Sequence, residues 1–494
     1  MVDDHVTIQV LSDEVLLHIF LSLRPHWPRY IRRPEHTFAG PRLTWEWHRL
    51  VHVCRRWRYL IFASQQCLGL GLVTSRVRPW TKLGLWPPLP VCIHYNLNIE
   101  LPRWDVEEAI ATLEQLRDRI LEIRLTISDS LLEKSNVWME SFPLLEHLYL
   151  HSPVGREHPV TVLPSGFLGG PTLASRRLRC ILLEKITVPT LPQLLSSCPG
   201  LMHLFLGNGV LAGDGFISPA VLTASLSTAA RLESLHVHLP SDIFHEEQES
   251  TDSELPPPNL VVLPALTYFK SEGDGSIEYL VDLVSRIHAP LLERFCVRVP
   301  SQRARPLDIP QLSQFISRTE RMSAMPIQTS IRVSLGKYYF RISHEFEIRG
   351  HFCFQLACDP ASDSFQASHV DYIGGLCKQL TPLISDVERV SMEIKRTYPE
   401  QLPNESELRT IPLWLRLFRL FDGAQELALG GDFLLSKAHK TAKIGQEVLP
   451  ALRILRFNIG GPVPRIIKSF VAERELTGRP ITVIFRGRHG SESA

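Results

Sequence analysis

A six-position pattern, apolar-x-x-apolar-x-apolar, returns along most of the chain. Its copies are Ile120–Leu125, "LEHLYL" from Leu145, "LRCILL" from Leu178, "LMHLFL" from Leu201 and "LESLHV" from Leu232. It continues as "LERFCV" from Leu292, "VERVSM" from Val387, "QELAL" ending at Leu429 and "LRILRF" from Leu452. A weaker copy has Leu266 and Phe269, with Ser271 in the third apolar place. The closing alternation predicts a short strand with one face covered. Pro143, Pro199, Pro264, Pro290 and Pro450 each stand two residues before the first apolar position of a copy. Proline there ends a preceding helix and pre-sets the turn into the strand. Helical periodicity fills the intervals at Asp105–Arg119, Ser218–Thr228, Ser276–His288, Ile411–Phe421 and Pro464–Leu476.

Helix, proline turn and strand at about 23 to 34 residues is the rhythm of a leucine-rich-repeat-like α/β solenoid. Parallel strands would line its concave side and helices its convex side. An asparagine ladder is missing; Asn208 in "LMHLFLGN" falls one place early. A doubly wound α/β sheet also alternates helix and strand. The recurring signature, and the lack of G-x-G-x-x-G after a strand, argue against it. The rhythm breaks at Met325–Asp359, which is strand-rich without a helix, and Leu335-Gly336-Lys337-Tyr338 could turn a hairpin. Ser241–Asn259 is acidic, ends in three prolines and reads as an exposed loop.

The start of the chain follows a different pattern. Ser12 is placed to cap a helix, with Asp13 and Glu14 in its first turn. Leu11 and Leu16 have the spacing of a hydrophobic staple. Polar residues then fall only at Glu14, His18 and Ser22, one narrow stripe, while Val15, Leu16, Leu17, Ile19, Phe20, Leu21 and Leu23 are apolar. A helix apolar over most of its circumference is covered on most of it. A second helix is expected over Leu43–Ala63, its apolar face made by Leu50, Val53, Trp57, Leu60 and Ile61. The division that follows is a helical region at 5–68, a solenoid at 69–485 and a polar tail at 486–494.

Composition narrows the chemistry. The 494 residues carry a net charge of +1, which gives no general signal for nucleic acid or an anionic membrane. No run is long and apolar enough for a membrane span, and the acidic start lacks the basic region of a signal peptide. Nine scattered cysteines with no CxxC fit reduced thiols in cytoplasm or nucleus. Cys353, Cys358 and His351 lack a second ligand pair with zinc spacing, and His236 and His238 share one strand face; neither group makes a metal centre by pattern alone. "GNGVLAGDG" at Gly207–Gly215 lacks the lysine of a phosphate-binding loop. No G-x-S-x-G or H-E-x-x-H occurs, although a dispersed triad needs no local motif. Asn404 begins an N-x-S sequence, unused without secretion. Arg24, Arg29, Arg32 and Arg33 with Trp27 and Tyr30 read as a solvated connection rather than a nucleic-acid site. The expectation is a chain without cofactor or metal.

"VLSDEVLLHIFLSL" from Val10, followed by "WHRLVHVCRRWRYLIF" from Trp47, resembles an F-box of the mushroom-type fungal family. Leu11, Glu14, Val15, Leu16, Ile19, Phe20 and Leu23 match its opening block, and Val53, Cys54, Arg55, Trp57 and Arg58 its second block. Ser12 replaces the usual proline; both residues favour helix initiation. The resemblance covers about the first 65 residues closely. It implies that these twelve residues contact a Skp-type adaptor and, through it, a cullin–RING ubiquitin ligase. The solenoid would then hold a target protein, with Glu146, His147, Tyr149, His203, Phe205, Ser234, His236, Arg294 and Cys296 as concave-face candidates. Two other readings stand beside this one: a repeat scaffold without a ligase link, and an α/β enzyme.

Overall fold

The computed structural model describes residues 10–23, 47–64, 68, 72–74, 89–95, 110–111, 113–127, 136–152, 161–169, 177–211, 216–239, 260–273, 277–300, 314–315, 318–319, 330–336, 339–344, 352–357, 387–395, 421–431, 449–458 and 465–485. The chain is a mixed α/β protein in which parallel strands dominate. It divides into two compact units, Met1–Leu201 and Met202–Ala494.

Among the described residues the first unit opens with α1 (Asp13–Ser22), α2 (Trp47–Leu50) and α3 (Arg55–Ala63). Ser12 caps α1, its hydroxyl accepting from the Val15 amide at 3.4 Å. Leu16, Phe20, Val51, Leu60, Ile61, Leu68 and Leu89 form one buried cluster, flanked by Leu11, Leu17, Leu21, Leu50, Trp57 and Phe62. The helix expected over 43–63 is instead broken. Residues 51–53 form a turn, and Cys54 is extended at φ −157°, ψ 171°. Its thiol caps α3 by accepting from the Trp57 amide at 3.5 Å. The break turns Val51 into the core, which a straight helix would not do.

The described strands that follow are β1 (Leu72–Thr74), β2 (Val91–Tyr95), β3 (Ile120–Thr126), β4 (His147–His151), β5 (Thr161–Val162), β6 (Cys180–Glu184) and β7 (Ile186–Thr187). β1, β2, β3, β4 and β6 pair in parallel in that order, and β5 pairs with β7. Helix α4 (Leu191–Ser196) closes the unit.

The second unit contains β8 (His203–Leu206), α5 (Pro219–Leu226), β9 (Ser234–His238), β10 (Val261–Val262), β11 (Tyr268–Glu272), α6 (Ile277–Ser285), β12 (Ile287–His288) and β13 (Arg294–Pro300). Then come β14 (Ser330–Gly336), β15 (Tyr339–His344), β16 (Phe352–Ala357), β17 (Arg389–Lys395), β18 (Glu426–Gly431), β19 (Ile454–Asn458), α7 (Arg465–Leu476) and β20 (Thr482–Phe485). Its main sheet runs β8-β9-β11-β13-β16-β15-β14-β17-β18-β19-β20. Among the described residues, only β14–β15 and β15–β16 pair antiparallel. The expected break in rhythm is thus a hairpin plus a third strand, inserted so that β16 meets β13 and β14 meets β17.

Every copy of the sequence pattern supplies a strand, and the copies stack in register. Ile123, Leu148 and Ile181 align in the first unit; Leu204, Leu235, Phe269 and Phe295 align in the second, as do Val390, Leu427, Leu455 and Val483. The turns ahead of the strands share one hydrogen bond. The amides of Leu145, Leu201, Leu266, Leu292 and Leu452 donate to the carbonyls three residues back, at 3.1–3.2 Å. Proline occupies the second position of each turn, where its fixed φ is already correct. Phe269, Phe295 and Phe315 pack ring on ring, with centroids 5.5–6.1 Å apart, in the core beneath β11 and β13.

The connection 24–46 with its basic cluster, the loop 241–259, the helix expected at 411–420, Asn404, His351, Cys358 and the tail 486–494 lie outside the described residues. No helix among the described residues is long and apolar enough to cross a membrane.

Candidate functional site

Two surfaces collect the chemistry. One is the side of α1 turned away from its cluster. Leu16 and Phe20 are buried, and Leu11 and Trp57 are half-buried. Val15, Ile19 and Leu23, however, are 44%, 36% and 56% exposed, and Val53 is 57% exposed. Spacing of three to four residues puts Val15, Ile19 and Leu23 in one row beside the polar row Glu14, His18 and Ser22. Cys54, Arg55 and Arg58 are also exposed. Of the residues matched to the F-box pattern, Leu16 and Phe20 therefore serve the cluster itself, while Val15, Ile19, Leu23 and Val53 stay open.

A pair that the pattern did not single out fixes this geometry. Arg56 reaches from α3 to Asp13, with Nε 2.9 Å and Nη2 2.7 Å from Oδ1, and its Nη2 also donates to the Leu11 carbonyl at 2.6 Å. Arg58 Nε donates to the Val51 carbonyl at 2.9 Å across the break between the helices.

The other surface is the sheet face opposite the core, set by the alternate positions of the strands. In the first unit Glu122 is buried there. Its Oε1 accepts from His94 Nε2 at 2.9 Å and from Arg124 Nη2 at 3.1 Å. Burial pushes the Glu122 carboxyl up, but the His94 hydrogen bond and the charges of His94, Arg124 and His147 outweigh it and hold it below its ordinary value. The Arg124 guanidinium lies 4.3 Å from the centre of the Tyr149 ring, and the Cys180 thiol is 3.5 Å from the Tyr149 hydroxyl. Burial pushes the Cys180 thiol up to about 12 and raises Tyr149 as well. A thiol so raised is a packing group and not a nucleophile. Of the target candidates, Tyr149 is nearly covered, while Glu146 and His147 are half-exposed.

In the second unit, His203 and Phe205 are half-exposed, and the Phe205 ring meets His236 edge-on with centroids 4.2 Å apart. His236 Nε2 lies 2.8 Å from Glu272 Oε1, and Lys270 Nζ lies 2.7 Å from Oε2. Burial opposes ionisation of Glu272, yet His236 and Lys270 together hold it down to about 2. Burial likewise lowers His236, although its hydrogen bond to Glu272 opposes that shift. Ser234 and His236 are almost fully covered, and Arg294 and Cys296 are half-exposed. Burial of His236 limits it to organising the face, since an incoming group cannot reach it directly.

Further along the same face, Glu426 of β18 sits between two arginines. Arg389 Nε of β17 is 3.0 Å and Arg456 Nε of β19 is 2.5 Å from its Oε1. Among the described residues no group of three histidine, cysteine or acidic side chains converges as a metal site would. No protein-family model matches the chain, and no curated protein matches it.

Proposed function

We propose that this chain is the target-binding subunit of a Skp/cullin/F-box-type ubiquitin ligase. The observation that carries the reading is the open row Val15, Ile19 and Leu23 on a helix whose opposite side is fully used by its own cluster. Three neighbouring apolar side chains at helical spacing fit the helix-in-groove mode of recognition. The resemblance of both sequence blocks to an F-box names the groove as that of a Skp-type adaptor. The remainder of the chain would be a leucine-rich-repeat-like solenoid whose strand face holds a target protein. In this role the chain breaks no bond itself. It raises the target's effective concentration at the transferring enzyme, in the cytoplasm or nucleus.

The test uses the full chain and a purified Skp-type adaptor. The wild-type chain should retain the adaptor on an affinity resin, and Val15→Asp with Ile19→Asp should lose it. Both substituted positions are exposed, so the thermal unfolding of the variant should match wild type. Failure of the wild-type chain to retain the adaptor would remove the ligase reading, and binding that survives both substitutions would move the contact away from this row.

A further inference from the structure

The open face of β14, β17, β18 and β19 carries an arrangement that the repeat pattern does not require. Ile331 and Val333 of β14 and Val390 and Met392 of β17 face the core, so Arg332 and Arg389 lie on the opposite, open face. Arg389 and Arg456 flank the buried carboxylate of Glu426, and Arg456 adds a second contact through Nη2 at 3.4 Å from Oε2. Arg332 is half-buried, pairs in register with Ser391, and has no acidic partner among the described residues. Beneath them the floor is small and hydroxylic: Ser330, Ser334 and Ser391, with Ala428 beside them.

Arg389 and Arg456 therefore share the Glu426 carboxylate, while Arg332 makes no contact with it. Glu426 neutralises one charge and fixes two side chains, so two positive charges remain among these four groups. Adjacent strands lie roughly 4.8 Å apart, so the charges from β14 to β19 span about 14 Å. That equals about four residues of an extended peptide laid across the strands. A half-buried cation without a counter-ion is unfavourable until an anion reaches it. Arginine also presents several donors in a plane, which suits carboxylates.

We propose that this part of the face binds a carboxylate-rich peptide segment of a protein partner, with Arg332 as the unpaired anchor and Arg389 and Arg456 held in position by Glu426. The proposal rests on the reading of this face as the target-holding surface; it does not depend on the adaptor contact. Half-buried arginines sit where their charge is screened less than at an open surface.

The test is a titration of the full chain into a fluorescein-labelled peptide of about ten residues, mostly glutamate and aspartate, without adaptor. A same-length peptide of glutamine and asparagine, a phosphoserine peptide and a short single-stranded RNA are run alongside. The acidic peptide should bind and weaken steeply with added salt. Arg332→Gln should weaken it about tenfold or more, the loss of one charge-assisted contact. Arg456→Gln should weaken it less, because Arg389 still holds Glu426. Val15→Asp with Ile19→Asp should leave peptide binding unchanged, which separates failure here from failure of the ligase reading. Equal binding of the neutral peptide, a salt-independent affinity of the wild-type chain, or preferential binding of the RNA or phosphoserine peptide would each overturn the proposal. The salt series needs no variant, so it decides the matter even if a substitution disturbs folding.

Discussion

Phe20 and Trp57 meet edge to face, with ring centroids 5.0 Å apart and planes at 69°. This contact joins the first sequence block to the second across the unpatterned connection between them. Phe20 is fully buried, so Phe20→Ala removes both the aromatic pair and the filling of the helical cluster. The expected cost is about 3–4 kcal/mol. Limited proteolysis should then cut the chain within its first 68 residues earlier than in wild type. An unchanged cleavage pattern would mean that the cluster does not depend on this ring.

The turn ahead of each strand gives a graded prediction. Pro290 pre-sets the turn that the Leu292 amide closes on the Ala289 carbonyl at 3.2 Å. Pro290→Ala keeps that bond and should cost only about 0.5–1 kcal/mol, mostly through a freer unfolded chain. Leu292→Ala opens a cavity in the core and should cost about 3 kcal/mol. Chemical denaturation of both variants checks the order. A larger loss at the proline would show that the turn has a role beyond conformational bias.

The architecture was legible where one residue type has one physical reason to be present. The prolines mark the turns, and the last two apolar positions of each copy mark the strands and their buried face. Ser12 was legible as a cap for the same reason. The break at Cys54 was not, because a thiol is a rare cap and the apolar spacing through 50–61 reads as an unbroken helix. Among the candidate contacts, strand alternation sets Tyr149 and His236 apart from the core-facing Leu148, Leu150, Leu235 and Val237 of their strands. It could not show that Arg124 covers one and that Glu272 and Phe205 enclose the other. Those neighbours come from strands about 30 residues away, so burial there depends on register between copies. The trio of Arg389, Glu426 and Arg456 was missed for the same cause. Its members lie in three quoted copies, "VERVSM", "QELAL" and "LRILRF", but their meeting appears only once those copies are aligned side by side.

Gly273 supplies a sharper test of the strand face. It follows β11 with φ +121°, a conformation that side chains rarely adopt. A Cβ there would lie 2.4 Å from the His238 ring and 3.0 Å from the Leu239 amide nitrogen. Gly273→Ala should therefore cost more than 1 kcal/mol, in contrast to the small gain alanine gives at relaxed glycines. Thermal unfolding reads the sign directly; a stabilised variant would show that the backbone relaxes freely at this point.

Acid should act on the second unit through His236, Lys270 and Glu272. Glu272 is held at about 2 in the folded chain, below its unfolded value, so its contribution to stability is present above about pH 4.5 and is lost as pH falls toward 2. His236 is also depressed, by burial first, so its protonation below the unfolded value near 6.5 works against the fold in the same direction. Stability should thus decline from about pH 6 downward and more steeply below 4.5. The shift of Glu272 sets an upper bound of roughly 3 kcal/mol for its part, shared with its two partners. Glu272→Gln should be less stable than wild type at pH 7, because the buried Lys270 then loses the carboxylate that lies 2.7 Å from its ammonium. Below pH 4.5 its stability should change less steeply with pH, so the two proteins converge in acid. Urea denaturation between pH 7 and pH 3 measures both slopes. Parallel slopes would mean that Glu272 is not the carboxylate whose protonation destabilises the fold.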